Sequence, residues 1–188
     1  ELAVKAQNRF GFRVERLDLR GANLESKARQ IAEVIGAAYP ADWDAPPPTC
    51  EDILAELKTL LQFDTSELVV MAKSEEGKPI GIFLGLPDYN HLLQPVRGRM
   101  FPFGWLRVLF GRRSIQAARC CHMFVVPEYQ NKAVGIVMTL TAYEKARRIG
   151  IRAVEASTID EGNVQSIINT ERTGAKRYRT YRQYELTL

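Results

Sequence analysis

A strand, a short polar loop and a helix follow one another between Ala118 and Arg148, and this succession limits the folds open to the chain. Residues 118–126 form a largely apolar run typical of a strand. The helix over residues 135–148 ends in basic residues and is followed by Gly150, which are both C-terminal signals. A second strand, IRAVEAST, comes next, and strand–helix–strand in this order predicts a parallel crossover.

The preceding half of the chain predicts two helices between strands. Residues 12–19 alternate as in a strand, and residues 25–38 carry apolar side chains at helical spacing. Thr49 and Asp52 resemble a capping box at the start of a second helix. Two strands between residues 67 and 86 are joined by the turn SEEG. The whole order predicts a mixed α/β fold, a mostly antiparallel central sheet with helices on both faces.

The C-terminal part predicts one more helix, over residues 163–174, and one more strand, KRYRTYRQYEL. The alternating charge of that strand is typical of a sheet edge, where it blocks unwanted pairing. A competing interpretation is nucleic-acid binding through interleaved basic and aromatic residues. Because the edge strand is the commoner cause of such a pattern, we expect no nucleic-acid partner.

Composition is that of one soluble domain over residues 1–188, with residues 87–117 as an insert or lid. The apolar share of 46% is ordinary, and no apolar run approaches the ~20 residues of a spanning helix. The net charge of +4 slightly favours anionic ligands and is too small to indicate nucleic acid. The chain begins at Glu1 rather than methionine, so we expect a fragment, a processed chain or a trimmed one.

The three cysteines, Cys50, Cys120 and Cys121, have neither the spacing of metal ligands nor that of a disulfide framework. Adjacent cysteines on a strand point to opposite faces and pair poorly. We therefore expect small buried apolar residues in a reducing, cytoplasmic compartment, and no metal site.

The loop QNKAVG places small and polar residues where the helix begins. The first amides of a helix lack partners and carry partial positive charge. Ala133 and Gly135 keep the loop free of bulk and Lys132 adds a charge, so a diphosphate can approach the backbone. A plain strand-to-helix turn explains the same spacing equally well, and neither GxxxxGK[ST] nor GxGxxG is present.

The same stretch resembles the acetyl-CoA signature of the GNAT acetyltransferase superfamily, V-x-P-x-x-[Q/R]-x-x-G-x-[G/A]. Val125, Pro127, Gln130 and Gly135 match it, whereas Ala133 stands where glycine is usual and narrows the space for a pyrophosphate. The long piece LPDYNHLLQ…MFPFGW is similar to that of an uncharacterised bacterial group of this superfamily.

A later stretch, GNVQSIINTERTGA, resembles the family pattern N-x-x-A-x-x-x-Y-x-x-x-G-F. Asn163 and Gly174 match it at the right separation, and Ser166 replaces the alanine. Thr170 occupies the place of the tyrosine that often protonates the departing thiolate in the family. Threonine is a poor acid, so the resemblance predicts the fold and cofactor better than it predicts activity.

The resemblance implies an N-acyltransferase that moves an acetyl or other acyl group from acetyl-CoA to an amine of a small molecule or a protein. It implies that the backbone at Phe124, Val125 and Val126 pairs with the pantetheine arm of coenzyme A, and that Asn163 contacts this arm or the thiol. It also implies that loop amides hold the pyrophosphate. These loop residues are Gln130, Asn131, Lys132, Ala133, Val134, Gly135 and Ile136.

Acyl transfer to an amine of ordinary pKa ~10.4 requires deprotonation, which costs about 4.6 kcal/mol at pH 7. A general base or a water relay removes this proton, and Glu155 is the candidate catalytic carboxylate. Its alternative role is an exposed strand residue paired with an arginine. The amide of Val125 or Val126 is the candidate donor to the developing oxyanion.

Alternation along strand 118–126 predicts two sets of side chains on opposite faces. One set is expected to line the substrate pocket, and the other set includes His122, which we expect to be a buried structural histidine. The first set is Arg119, Cys121 and Met123, and the second is Cys120, His122 and Phe124.

Three interpretations of the insert remain open. Phe101, Phe103, Trp105 and Leu106 would form an apolar wall of an acceptor site, with Arg97, Arg99 and Arg107 as anion contacts. The second interpretation has the aromatic residues fill the core. The third attaches FPFGWLRVLFGRR to a membrane surface, which its shortness disfavours, so we expect no membrane partner.

A non-catalytic function is the main alternative to the transferase. The missing tyrosine and the uncertain base favour a degenerate domain that binds acyl-CoA without turnover or acts as an interaction module. The oligomeric state stays open.

Overall fold

A five-stranded sheet lies at the centre of the protein, with spatial strand order β1-β2-β3-β4-β5. Neighbours from β1 to β4 run antiparallel, and β4 and β5 run parallel. The strands are β1 (Phe12–Arg16), β2 (Val69–Ser74), β3 (Pro79–Pro87), β4 (Ala117–Val125) and β5 (Ala153–Ala156). The structure is a computed structural model that describes residues 2–20, 23–41, 43, 45–62, 68–97, 99–182 and 184.

Helices cover both faces of this sheet, as predicted. Ile35 of α2 and Leu57 of α3 meet Leu84 of β3 on one face. On the other face, Met138 of α6 lies against Gly81 of β3. The helices are α1 (Leu2–Phe10), α2 (Leu24–Ala38), α3 (Cys50–Gln62), α4 (Asn90–Leu93), α5 (Gly104–Gly111), α6 (Val134–Arg148) and α7 (Val164–Arg172). Because both faces are covered, β2 is an apolar run with Val69, Val70, Met71 and Ala72 fully buried.

Three features differ from the sequence prediction. The N-terminal helix α1 and the insert helices α4 and α5 were not expected. The final strand over residues 176–186 is wrong for its described part, because residues 176–182 are exposed and in no strand. A strand needs a partner for its backbone groups, and alternation cannot supply one. Residue 67 and residues 183, 185 and 186 of the predicted strands lie outside the described residues.

The predicted capping box at the start of α3 is confirmed. The Asp52 carboxylate accepts hydrogen bonds from the Thr49 backbone N–H at 2.8 Å and from its hydroxyl at 2.6 Å. In return, the Thr49 hydroxyl accepts from the Asp52 N–H at 3.2 Å. These Thr49 donors lower the pKa of Asp52 below its ordinary value of 3.8. The box therefore stabilises α3 most when Asp52 is ionised.

Thr49→Ala should lower the free energy of unfolding by about 1 kcal/mol at neutral pH, because the helix loses its N-cap. A lowered folded-state pKa contributes stability above the unfolded value and loses it as pH falls. The difference from wild type should therefore shrink below pH 3.8. Urea unfolding at several pH values measures it. Thr59→Ala, which removes a hydroxyl bonded only to the Ala55 carbonyl of the same helix, is the control and should show no such pH dependence.

Candidate functional site

The split between β4 and β5 is the feature around which the candidate site is built. The two strands pair only from Ala117 to Cys120 of β4, whereas β4 pairs with β3 as far as Val125. Residues 121–125 of β4 consequently have no partner in β5 on that edge. An unpaired strand edge can accept another extended chain.

Backbone direction decides which groups of β4 point into the split. The Val126 N–H donates to the Ile80 carbonyl at 3.0 Å, so it points toward β3. Successive residues of a strand direct their polar groups to opposite edges, so the N–H and C=O of Val125 point toward the split. Of the two amides predicted as oxyanion donors, that of Val126 is already engaged and that of Val125 remains directed at the split.

The loop after β4 presents backbone amides at the start of α6. The first helical bond runs from the Val137 N–H to the Ala133 carbonyl at 3.0 Å. Within the described part of the chain, no side chain caps this helix start. The amides of Val134, Gly135 and Ile136 precede that first bond, and a helix start in this condition is able to bind an anion.

Polar side chains of the loop are held by the protein itself. The Gln130 Nε2 donates to the Val125 carbonyl at 3.2 Å and ties the loop to β4. The Lys132 ammonium lies 4.7 Å from the centre of the Tyr129 ring. The charge of Lys132 therefore stays beside the loop, while the side chain of Gln130 is engaged with the strand.

Ala133 occupies the place of the expected glycine in a left-handed conformation, with φ 61°. Asn131 has the same φ of 61°. An L residue with a Cβ is strained there, whereas Gly135 has ordinary helical geometry. A Cβ at Gly135 would lie 3.6 Å from the Met123 sulfur, an ordinary contact. The protein's own packing therefore does not require glycine at position 135.

Ala133→Gly should raise the free energy of unfolding by roughly 0.5–1 kcal/mol, because glycine adopts the left-handed conformation without a Cβ clash. Ala55→Gly is the matched control, since Ala55 is exposed in the interior of α3. The same change there should lower stability by about 1 kcal/mol. Urea unfolding of both variants measures the difference. A loss of stability in both would show that residue 133 is not left-handed in solution.

A cleft of about 420 Å³ runs from the start of α6 between α6 and α7, over β4 and β5. Gly135, Thr139 and Tyr143 line it from α6, and Thr170 lines it from α7. Tyr143 was missed by the sequence prediction. Its spacing of four residues from Thr139, and that of Thr139 from Gly135, would have placed all three on one helix face.

Asn163 does not line the cleft, and its side chain caps α7. Its Oδ1 accepts a hydrogen bond from the Ser166 N–H at 3.1 Å. The predicted contact of Asn163 with coenzyme A stays a prediction. Thr170, predicted at the place of the family tyrosine, does lie in the cleft.

The predicted division of β4 side chains between two faces is wrong at Cys120 and Cys121, because the strand contains a bulge, whereas Arg119 and Met123 both line the cleft. Leu84 pairs with His122 and Gly85 with Cys120, so Cys121 is an extra residue. Met123 and Cys120 both line the cleft beside α6. The added residue shifts the alternation by one position. The side chain of Cys120 therefore lies on the same face as that of Met123, whereas the prediction had placed it with His122.

His122 lies on the α2–α3 face and is exposed, so the expectation of a buried histidine is wrong. Its ring stacks with that of Phe124 at a centroid distance of 6.2 Å. Trp43, from the α2–α3 connection, contacts Phe124 edge-on at 6.3 Å and Tyr39 at 4.9 Å. These four residues form an aromatic cluster on the face opposite the cleft.

Glu155 forms an ion pair with Arg119, one of its two predicted roles. The Arg119 Nη2 and Glu155 Oε2 are 2.9 Å apart. A hydrogen bond from the Tyr178 hydroxyl, together with Arg119, lowers the pKa of Glu155. Glu155 is therefore an anion at neutral pH beside the strand split, and its catalytic role stays a prediction.

The cysteines are free thiols that are partly buried, rather than fully buried as expected. Burial raises the pKa of Cys120, in the cleft, to about 12. Burial also raises the pKa of Cys121. Because the thiolate is the nucleophilic form, Cys120 is inert at neutral pH.

Solved structures with this architecture are acetyltransferases. One is the aminoglycoside acetyltransferase meta-AAC0020 from an uncultured soil sample, in complex with sisomicin, with a TM-score of 0.63 and 16% identity over 96% of this chain and 99% of that chain. Another is yncA of Salmonella typhimurium with its cofactor acetyl-CoA, with a TM-score of 0.56 and 17% identity over 87% of this chain and 79% of that one. The chain has the GNAT fold. This confirms the predicted fold class.

Two curated proteins are similar in sequence to this chain. Protein YghO of Escherichia coli K12 is 30% identical over 82% of the chain and 41% of its own length. The bacterial ceramide synthase of Caulobacter vibrioides is 25% identical over 95% of the chain and 47% of its own length. The chain thus spans less than half the length of these relatives. No protein-family model matches the sequence.

Proposed function

We propose that the protein is an N-acyltransferase that uses acetyl-CoA or another acyl-CoA and an amine acceptor. The observation that carries this proposal is the uncapped start of α6, which opens onto a cleft beside the free edge of β4. A phosphate at the helix start and an extended arm along the strand edge are the two parts that coenzyme A brings. The GNAT fold and the acetyl-CoA of yncA support the same assignment.

The residues present fit coenzyme A in two ways. The amides of Val134, Gly135 and Ile136 would hold the pyrophosphate. Lys132 of the same loop would add a positive charge beside it. The packing of the protein does not require glycine at position 135. The absence of a side chain there leaves space for a phosphate to approach the backbone closely. The strain of Ala133 sits in the same loop, where backbone strain is typical of ligand sites.

An acyl-CoA supplies a thioester carbonyl to an amine, and the protein supplies positioning and proton transfer. The Val125 amide would donate to the developing oxyanion. Glu155, ionised and next to the split, would order the water that accepts the amine proton. Because the Cys120 thiol has a pKa of about 12, we propose direct transfer to the amine rather than an acyl-cysteine intermediate.

A lipid amine belongs among the acceptors to be screened. One relative is named a bacterial ceramide synthase, and a ceramide is an N-acylated amino alcohol.

The lining of the cleft bears on the acyl group of the donor. It consists mainly of apolar and small side chains, such as Ile136, Leu140 and Ala142. Such a lining accommodates an acyl chain longer than acetyl.

Gly135→Glu should abolish the rise in melting temperature that coenzyme A produces, because the new carboxylate would occupy the phosphate position. The apo protein should stay folded, since a Cβ fits there and an acid at a helix start is favourable. Gly36→Glu is the matched control, because Gly36 is exposed on α2 with no atom near its Cβ position. Unchanged affinity in Gly135→Glu would place the phosphate elsewhere.

Glu155→Gln should lower kcat about tenfold to a hundredfold, as the loss of a group that assists proton transfer does. His122→Gln should lower it much less, since the His122 ring is stacked on Phe124, whereas Glu155 is held beside the strand split by Arg119. The pH–rate profile of thiol release measures both, with Glu161→Gln in an exposed turn as the matched control. A collapsed rate in the histidine variant alone would reject the assignment of Glu155.

A second candidate function is acyl-CoA binding without turnover. It is favoured by the cleft lining, which contains neither a carboxylate nor a histidine among the residues that the structure describes. Thiol release from acetyl-CoA and longer acyl-CoA with a panel of amines separates the two functions. Binding that persists without thiol release for any amine would support the non-catalytic domain.

A further inference from the structure

The segment from Tyr89 to Pro127 has an unusual charge distribution. It contains six arginines and no aspartate, glutamate or lysine, whereas the net charge of the whole chain is only +4. The remainder of the chain is consequently net negative. The net positive charge of the chain therefore comes from the insert and β4.

The same segment exposes several large apolar side chains. Phe101, Phe103 and Phe110 are 87%, 72% and 75% exposed. With three half-exposed residues they form one group, which we call the insert surface. It consists of Met100, Phe101, Phe103, Trp105, Leu109 and Phe110. A cluster of this kind marks a binding surface rather than ordinary scattered exposure.

Packing of α5 fixes the direction in which these side chains point. A Cβ at Gly111 would lie 2.6 Å from a methyl carbon of Leu92 in α4, and a Cβ at Gly104 would collide with the Arg99 carbonyl. Both ends of α5 are therefore pressed against the protein, and Val108 points inward and is buried. The helix cannot roll to bury Trp105, Leu109 and Phe110 without breaking these contacts.

The hydrogen-bonding state of Trp105 also suits an apolar environment. Its indole N–H donates to the Pro102 carbonyl at 2.8 Å, so its polar atom already has a partner within the protein. The exposed face of the ring can then enter an apolar phase without losing a hydrogen bond.

The arginines flanking the insert surface are available for anions. Arg97, Arg99, Arg107 and Arg113 are exposed. Within the described residues, none of the four forms an ion pair. A helix of eight residues such as α5 is too short to span a bilayer, and no described helix is long and apolar enough to do so. Exposed aromatic and aliphatic side chains interspersed with arginine along the chain are typical of segments that lie in the membrane interface.

We propose that the insert surface docks the protein on an anionic lipid bilayer, with its phenylalanines among the headgroups and Arg97, Arg99, Arg107 and Arg113 at lipid phosphates. A second copy fits less well, because a symmetric contact would bring the same arginines together. The inference departs from the expectation of no membrane partner, which considered only the length of the segment. It does not rest on the acyltransferase proposal.

Co-sedimentation with phosphatidylcholine vesicles, with and without phosphatidylglycerol, tests the docking. Wild type should pellet with the anionic vesicles and stay largely in solution with the neutral ones. Arg97→Gln with Arg99→Gln should weaken binding by about fivefold for each arginine lost. Arg9→Gln with Arg13→Gln removes the same charge from α1 and from the edge strand β1 and should leave binding within about twofold of wild type, since a nonspecific long-range charge contribution is weakened by salt screening.

Phe101→Ser with Phe103→Ser should abolish binding to the anionic vesicles, whereas Val4→Ser, at an exposed apolar position of α1, should not. In a Trp43→Phe background, the emission of Trp105 should shift to shorter wavelength on adding these vesicles. Melting temperatures and coenzyme A binding of all variants are measured alongside, so a folding defect or a failed cofactor site is recognised separately.

Three results would overturn the docking proposal. The first is wild type that stays in solution with anionic vesicles. The second is equal loss of binding in the two arginine pairs, or retained binding in the phenylalanine variant, which would indicate charge attraction alone. The third is a lipid-free dimer that the phenylalanine changes convert to a monomer, because the insert surface would then be a self-association face.

Discussion

The short pairing of β4 with β5 is the constraint on which the rest of the site depends. β4 is held to β3 along its length, but to β5 over only four residue pairs. Beyond Cys120 the two strands part, and the cleft between α6 and α7 opens beside the parting. Had β5 continued alongside β4, the Val125 N–H would be paired within the sheet and no extended ligand could reach it.

Several features that lower the stability of the fold lie where β4 and β5 part. Ala133 and Asn131 are left-handed, three helix amides have no capping side chain, and one strand edge has no partner. Glycine at the two left-handed positions and a capping serine at the start of α6 would remove the first two of these features. The fully buried strand β2 and the helices on both of its faces supply the stability that tolerates them.

The cleft, the aromatic cluster and the insert surface lie on different parts of the fold. The cleft belongs to the α6–α7 face, and the aromatic cluster of Tyr39, Trp43, His122 and Phe124 belongs to the α2–α3 face. The insert surface sits on α5 and the turn before it. In the proposed reaction the acyl-CoA donor occupies the first of these faces.

Sequence alone determined the elements that follow from local periodicity and capping. The strand, loop and helix from β4 to α6, the Thr49–Asp52 box and the parallel crossover to β5 were all predicted, because their signals lie within a few residues of one another. The small and polar residues of the α6 loop likewise predicted an anion site, which stays a prediction.

Only the tertiary structure decided which groups face the cleft. The bulge at Cys121 depends on how β4 pairs with Gly85 and Leu84 of another strand, and it reversed the predicted sides of Cys120 and Cys121. The exposed aromatics of α5 depend on Gly111 packing against Leu92 of α4 and on Gly104 packing against the Arg99 carbonyl. The C-terminal alternation formed no strand in its described part, because pairing requires a partner edge that a local pattern does not encode.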